Sequence, residues 1–66
     1  MEEDIGNKII DFMDKDRRRD YTIPEVMAGL RIKSREKIIA SLALLEGRGI
    51  VEIPRKKGRV KYYRLK

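Results

Sequence analysis

Apolar positions recur along this chain first at helical and then at strand spacing, and the changes of spacing divide it into elements. In "DIGNKIIDFMDK", Ile5, Ile9, Phe12 and Met13 return every three or four residues with Ile10 beside them, which is the period of one helical face. The pattern predicts a first helix from about Glu3 to Asp14. "KDRRRD" then carries no apolar residue and reads as an exposed connection. In "YTIPEV" three helix-start signals coincide. Thr22 and Glu25 stand at capping-box spacing, Pro24 falls in the first turn where its missing N–H costs little, and Tyr21 and Val26 are placed as a hydrophobic staple. A short second helix is expected to end near Leu30, with Val26, Met27 and Leu30 inward and Ile32 dropping into the core from the following turn. Ser34 is positioned to cap a third helix, "REKIIASLALLEGR", whose inner side is expected to be Ile38, Ile39, Leu42 and Leu45. Gly49 suits the left-handed position after that helix, with Ile50 set to meet Leu45 as a Schellman motif requires.

Beyond Ile50 the period shortens. "IVEIP" and "VKYYRL" are β-branched and aromatic runs separated by "RKKGR", and Gly58 is free to take the positive φ of a hairpin turn. Tyr62 and Tyr63 must face opposite ways on the returning strand, so one ring is expected on the core, with Val60 helping to anchor the strand. The order is therefore helix, a short strand at Tyr21 and Thr22, helix, helix and a two-stranded hairpin, an α+β arrangement in a single domain over residues 1–66.

Composition narrows what such a domain can do. A chain of 66 residues buries one small core. Its 41% hydrophobic residues alternate with 42% charged ones, which favours a folded domain over a disordered polyelectrolyte. No apolar run approaches a membrane span, and the acidic start "MEED" lacks the basic region of a signal peptide, so a soluble cytoplasmic protein is expected. Cysteine and histidine are both absent. That removes disulfides, thiol nucleophiles, imidazole bases and the usual zinc ligands together, and no carboxylate spacing suggests a catalytic dyad. Neither catalysis nor a cofactor nor a metal is expected. Glu2, Glu3 and Asp4 could meet a hard cation, but helix N-termini favour acids in any case. The absence of glutamine, the single asparagine (Asn7) and the abundance of Lys, Arg, Glu and Ile form a bias found in proteins of hot environments.

The charge is polarised. Residues 1–16 hold six acids against two lysines, net −4, while residues 17–66 hold fifteen bases against five acids, net +10, which together give the overall +6. A molecule of this kind turns its basic side toward a polyanion.

The residues "YTIPEV", Leu30-Arg31-Ile32, the apolar line Ile38, Leu42 and Leu45, "LEGRGIV" and "GRVKYYRL" are together similar to a winged helix-turn-helix DNA-binding domain of the archaeal and bacterial transcription-regulator type. The resemblance runs from Tyr21 to Leu65, and the first helix supplies the rest of a three-helix core. It implies a third helix in the major groove of double-stranded DNA and a C-terminal hairpin wing on the phosphates or the adjacent minor groove. Arg31 departs from the pattern, because a glycine often occupies that turn.

On this view Arg35, Lys37 and Ser41 are the expected contacts of the third helix, with Lys33 and Ser34 at its entrance, and Arg55, Lys56, Lys57 and Arg59 are the expected contacts of the wing. Lys61 is a weaker candidate because its strand position turns it away, and Leu44 is expected to be exposed. A small, nucleoid-associated transcription regulator is the leading expectation, with a monomer and a homodimer built on the first helix both open. The alternative is a protein-docking module of replication or repair machinery that uses Leu44 and the acidic first helix. Two further alternatives concern the basic residues. The hairpin lysines and arginines could serve only to guard a sheet edge, and Arg17, Arg18 and Arg19 could pair locally with Asp14, Asp16 and Asp20.

Overall fold

Capping chemistry sets where the helices begin in the computed structural model, which describes residues 4–66. Asp4 accepts a hydrogen bond from the Asn7 backbone at 3.1 Å and opens α1 (Ile5–Asp14), while Glu2 and Glu3 lie outside the described residues. The expected box opens α2 (Ile23–Leu30): the Glu25 N–H donates to the Thr22 hydroxyl at 3.4 Å, and the Thr22 N–H donates to the Glu25 carboxylate at 3.0 Å. Ser34 opens α3 (Arg35–Gly47) by accepting from the Lys37 N–H.

The helix ends follow one plan. After α3, Gly49 takes φ +75°, its N–H reaches the Glu46 carbonyl, and the Ile50 N–H reaches the Leu45 carbonyl, both at 2.9 Å. This is the expected Schellman motif. After α2 the same pair of bonds forms, Arg31 to Ala28 at 3.3 Å and Ile32 to Met27 at 3.0 Å. Here the left-handed position, φ +57°, is held by Arg31 rather than glycine.

The core lies where the three helices meet the base of the hairpin formed by β1 (Val51–Lys57) and β2 (Val60–Leu65). Ile9, Met13, Val26, Ile38 and Leu42 are fully buried, and Tyr21, Leu45, Val51, Tyr63 and Leu65 complete the cluster. Each buried aliphatic side chain contributes about 1.5–3 kcal/mol of transfer free energy. Burial also raises the Tyr63 hydroxyl above the usual phenol range, and the charge of Glu46 adds to the effect.

Three sequence expectations change. Ile39 is 40% exposed rather than part of the inner face, because α3 turns the line Ile38, Leu42 and Leu45 inward and Ile39 stands about 100° round the helix from Ile38. Val60 is also exposed, and the returning strand is anchored instead by Tyr63 and Leu65. The strand expected at Tyr21 and Thr22 reduces to a single bridge, with Tyr21 and Tyr63 exchanging backbone bonds of 2.8 and 2.7 Å. Thr22 cannot extend the ladder because its N–H and hydroxyl are engaged by the capping box.

The hairpin is antiparallel and irregular. Val51 pairs with Leu65 and Glu52 with Arg64, but next come Arg55 with Tyr62, Lys56 with Lys61 and Lys57 with Val60. Two residues, Ile53 and Pro54, therefore oppose Tyr63 alone. A bulge suits proline, which has no N–H to give the ladder. Gly58 at φ +63° is the first of the two loop residues, as in a type II′ turn.

Candidate nucleic-acid interface

The bulge decides which wing residues face the helices. Successive strand residues point to opposite sides of a sheet, and direct cross-strand partners share a side. Lys61 has the parity of the buried Tyr63 and Leu65, so it lies on their side of β2, beyond the edge of the core. Its partner Lys56 lies on that side too. Without the bulge, Val51, Ile53, Arg55 and Lys57 would have shared a face, and the extra residue moves Arg55 and Lys57 to the other one.

Arg55 is therefore taken up by the outer face. Its guanidinium lies 4.1 Å from the ring centroid of Tyr62, and its Nε is 3.2 Å from Asp20 Oδ2. Arg64, on the same side, donates to Glu52 at 3.0 Å and stands 3.9 Å from the buried Asp20 Oδ1. Around the turn after α1, Arg17 pairs with Asp14 and donates to the Lys66 carbonyl, while Arg19 pairs with Glu25 at 2.6 Å. Thr22's N–H, its hydroxyl and Arg19 hold the Glu25 carboxyl below its ordinary value, the backbone bond most strongly, against a smaller opposing effect of burial. Local pairing thus accounts for Arg17 and Arg19.

The inner face is different. Arg35, Arg59 and Lys61 line a groove of about 410 Å³ together with Thr22, Ile23 and Pro24 at the start of α2. Among the described residues, Arg31, Lys33, Arg35, Lys56, Lys57, Arg59 and Lys61 form no ion pair. The groove thus joins the first turn of α3 to the wing through cations with no counter-charge among the described residues. Lys61, a weaker candidate on sequence grounds, belongs to this group. Its period-two relation to Tyr63 and Leu65 is the signal that marks it.

The remaining expected contacts are spread over other surfaces. Lys37 stands about 200° from Arg35 around α3 and follows the stripe of Ser41, Leu44 and Arg48. Ser41, Leu44 and Arg48 line a second groove, of about 320 Å³, against Asp4, Ile5, Asn7 and Ile10 of the α1 end. Arg35 and Ser41 thus lie in different grooves. Leu44 is 56% exposed, as expected. Ser34 spends its hydroxyl on the α3 cap, Lys33 is exposed just before it, and Lys57 faces outward opposite Val60.

No helix among the described residues is long and apolar enough to cross a membrane. No family model matches the chain, and no curated protein matches it in sequence. A solved structure from work on the DNA recognition and protein interaction domains of HOP2, and on its homologous DNA pairing, superposes with a TM-score of 0.80 at 17% sequence identity, covering 94% of this chain and 98% of that one. At that identity the likeness is one of fold, and three helices followed by an antiparallel hairpin are the arrangement of a winged helix.

Proposed function

We propose that this chain binds double-stranded DNA without catalysing a reaction, with α3 in the major groove and the hairpin wing on the adjacent backbone or minor groove. One observation carries the reading. Lys56 and Lys61 are direct cross-strand partners, a like-charge pair that costs stability in isolation, and Lys61 lines a groove with the cations Arg59 and Arg35 and with no acid among its lining residues to offset them. A guarded sheet edge needs isolated charges, not a pair opposed across the ladder and continued onto a helix. A polyanion satisfies the whole set at once, releasing counterions as it binds. The HOP2 likeness supports the same direction, since that work concerns DNA recognition.

The role served by such binding is proposed on the same footing. A transcription regulator requires a preferred sequence, whereas a recombination or repair module engages any duplex. The exposed Leu44 beside the α1–α3 groove favours a protein contact in addition to DNA in the second case. The test is a titration of the protein with duplex DNA, mixed single strands and RNA, followed by selection from random duplexes. Duplex binding that weakens steeply with salt is expected. Absence of binding to any duplex at low salt would leave the protein-docking role in its place. Enrichment of one defined site would support the regulator, and a preference no finer than base composition would support the module that engages duplexes generally.

A further inference from the structure

We infer that α3 reads thymine methyl groups, so that the duplexes preferred by this protein are rich in A·T pairs. The inference rests on the proposed duplex binding and names what that site would recognise. Arg35, Ile39 and Ala43 follow one another at four-residue intervals on α3, so they form one stripe along the helix. The first of them lines the groove shared with the wing residues Arg59 and Lys61. Any duplex engaged by Arg35 and the wing together therefore has Ile39 and then Ala43 next along its groove. Both are exposed, Ile39 to 40%, and Ala40 beside them is exposed as well.

This part of the helix has little hydrogen-bonding capacity. Arg35 and Glu36 in the first turn carry polar heads, but from Ile39 to Ala43 the outward positions 39, 40 and 43 carry only methyl and methylene groups. In the major groove the one apolar group that a base pair presents is the C5-methyl of thymine, and aliphatic side chains contact it. An exposed isoleucine at this place has no partner in the core, since α3 packs through Ile38, Leu42 and Leu45. The small Ala40 and Ala43, which follow Ile39 on this side of the helix, allow it to approach the base edges closely enough for Ile39 to reach them.

The test compares a short alternating A·T duplex with the same duplex in which deoxyuridine replaces every thymidine, which removes the methyl and keeps the base-pair hydrogen bonds. Wild type is expected to bind the thymidine duplex roughly fourfold more tightly for each methyl buried. Ile39→Ala, at a position 40% exposed and outside the core cluster, should bring the ratio toward one while leaving the salt dependence, set by phosphates, unchanged. Equal affinity of wild type for the two duplexes, with strong salt-dependent binding to both, overturns methyl readout and leaves duplex binding standing. An undiminished preference in Ile39→Ala also overturns it. Failure to bind either duplex removes the underlying DNA reading itself.

Discussion

Lys56 and Lys61 stand directly opposite each other across the hairpin, on the side that carries Tyr63 and Leu65 into the core, while Arg55, one residue away, stacks on Tyr62 on the other side. The two groups of cations should therefore behave differently toward DNA. Lys61→Ala and Lys56→Ala are each expected to lower duplex affinity and to reduce the magnitude of the slope of log K against log salt by about 0.9, the effect of leaving one phosphate without its cation. Arg55→Ala should leave the slope nearly unchanged, because its charge is already engaged by Asp20. Salt titrations of the three variants check this, and a slope more sensitive to Arg55 than to Lys61 would reverse the assignment of faces.

A hairpin that positions charge differs from a basic tail in its dependence on the turn. Gly58 has φ +63°, and a side chain there would meet nothing within 4 Å, so Gly58→Val opposes only the backbone conformation. Affinity should fall while every charge is kept and the helices stay folded. Unaltered binding in this variant, beside a large loss on removing Lys56, Lys57 and Arg59, would show a flexible tail in place of a wing.

Arg31 occupies the left-handed position between α2 and α3 at φ +57°. Glycine adopts that conformation without the steric cost that a Cβ brings. Arg31→Gly is expected to stabilise the domain by about 1 kcal/mol, raising the melting temperature by about 4–8 °C. Calorimetry checks the sign, and a destabilised variant would mean that the arginine side chain contributes more to the fold than its conformation costs.

The Phe12 ring fills the space that a side chain on Gly29 would need, bringing α1 and α2 together, and its centroid lies 5.1 Å from that of Tyr21. Gly29→Ala should therefore cost about 1–3 kcal/mol from overpacking, offset by about 1 kcal/mol of helix propensity. In a Phe12→Ala background the same change should become stabilising. Urea denaturation of the four proteins measures the reversal, and an equal effect in both backgrounds would separate the two residues.

The capping box makes stability depend on acid. Glu25 titrates lower in the folded protein than in the unfolded chain, chiefly through the Thr22 backbone N–H and with help from Arg19. Its contribution is therefore complete above the unfolded carboxylate value and is lost as the pH falls through the lower, folded one. Glu25→Gln should be less stable than wild type near neutrality, by no more than about 1 kcal/mol because the pair reaches solvent, and the difference should vanish in strong acid. Melting curves across the acidic range check this; a gap that widens as the pH falls would contradict the sign.

Whatever depends on near neighbours was legible in the chain alone. The capping box at Thr22 and Glu25, the Ser34 cap, the Gly49 Schellman motif and the Gly58 turn are each complete within a few residues, so the helix and hairpin boundaries could be read from them. Leu42 and Ile38 were legible as core because a helix's period projects onto one line. Facing depends instead on long-range packing. A single extra residue at Ile53 and Pro54 reverses strand parity, and whether it is absorbed as a bulge depends on pairing with a strand that follows later in the chain. That pairing moves Arg55 outward to Asp20 and leaves Lys56 beside Lys61. Helical projection already sets Arg35 and Ser41 about 120° apart on α3, but what stands against each face, the wing beside Arg35 and α1 beside Ser41, was decided by tertiary packing.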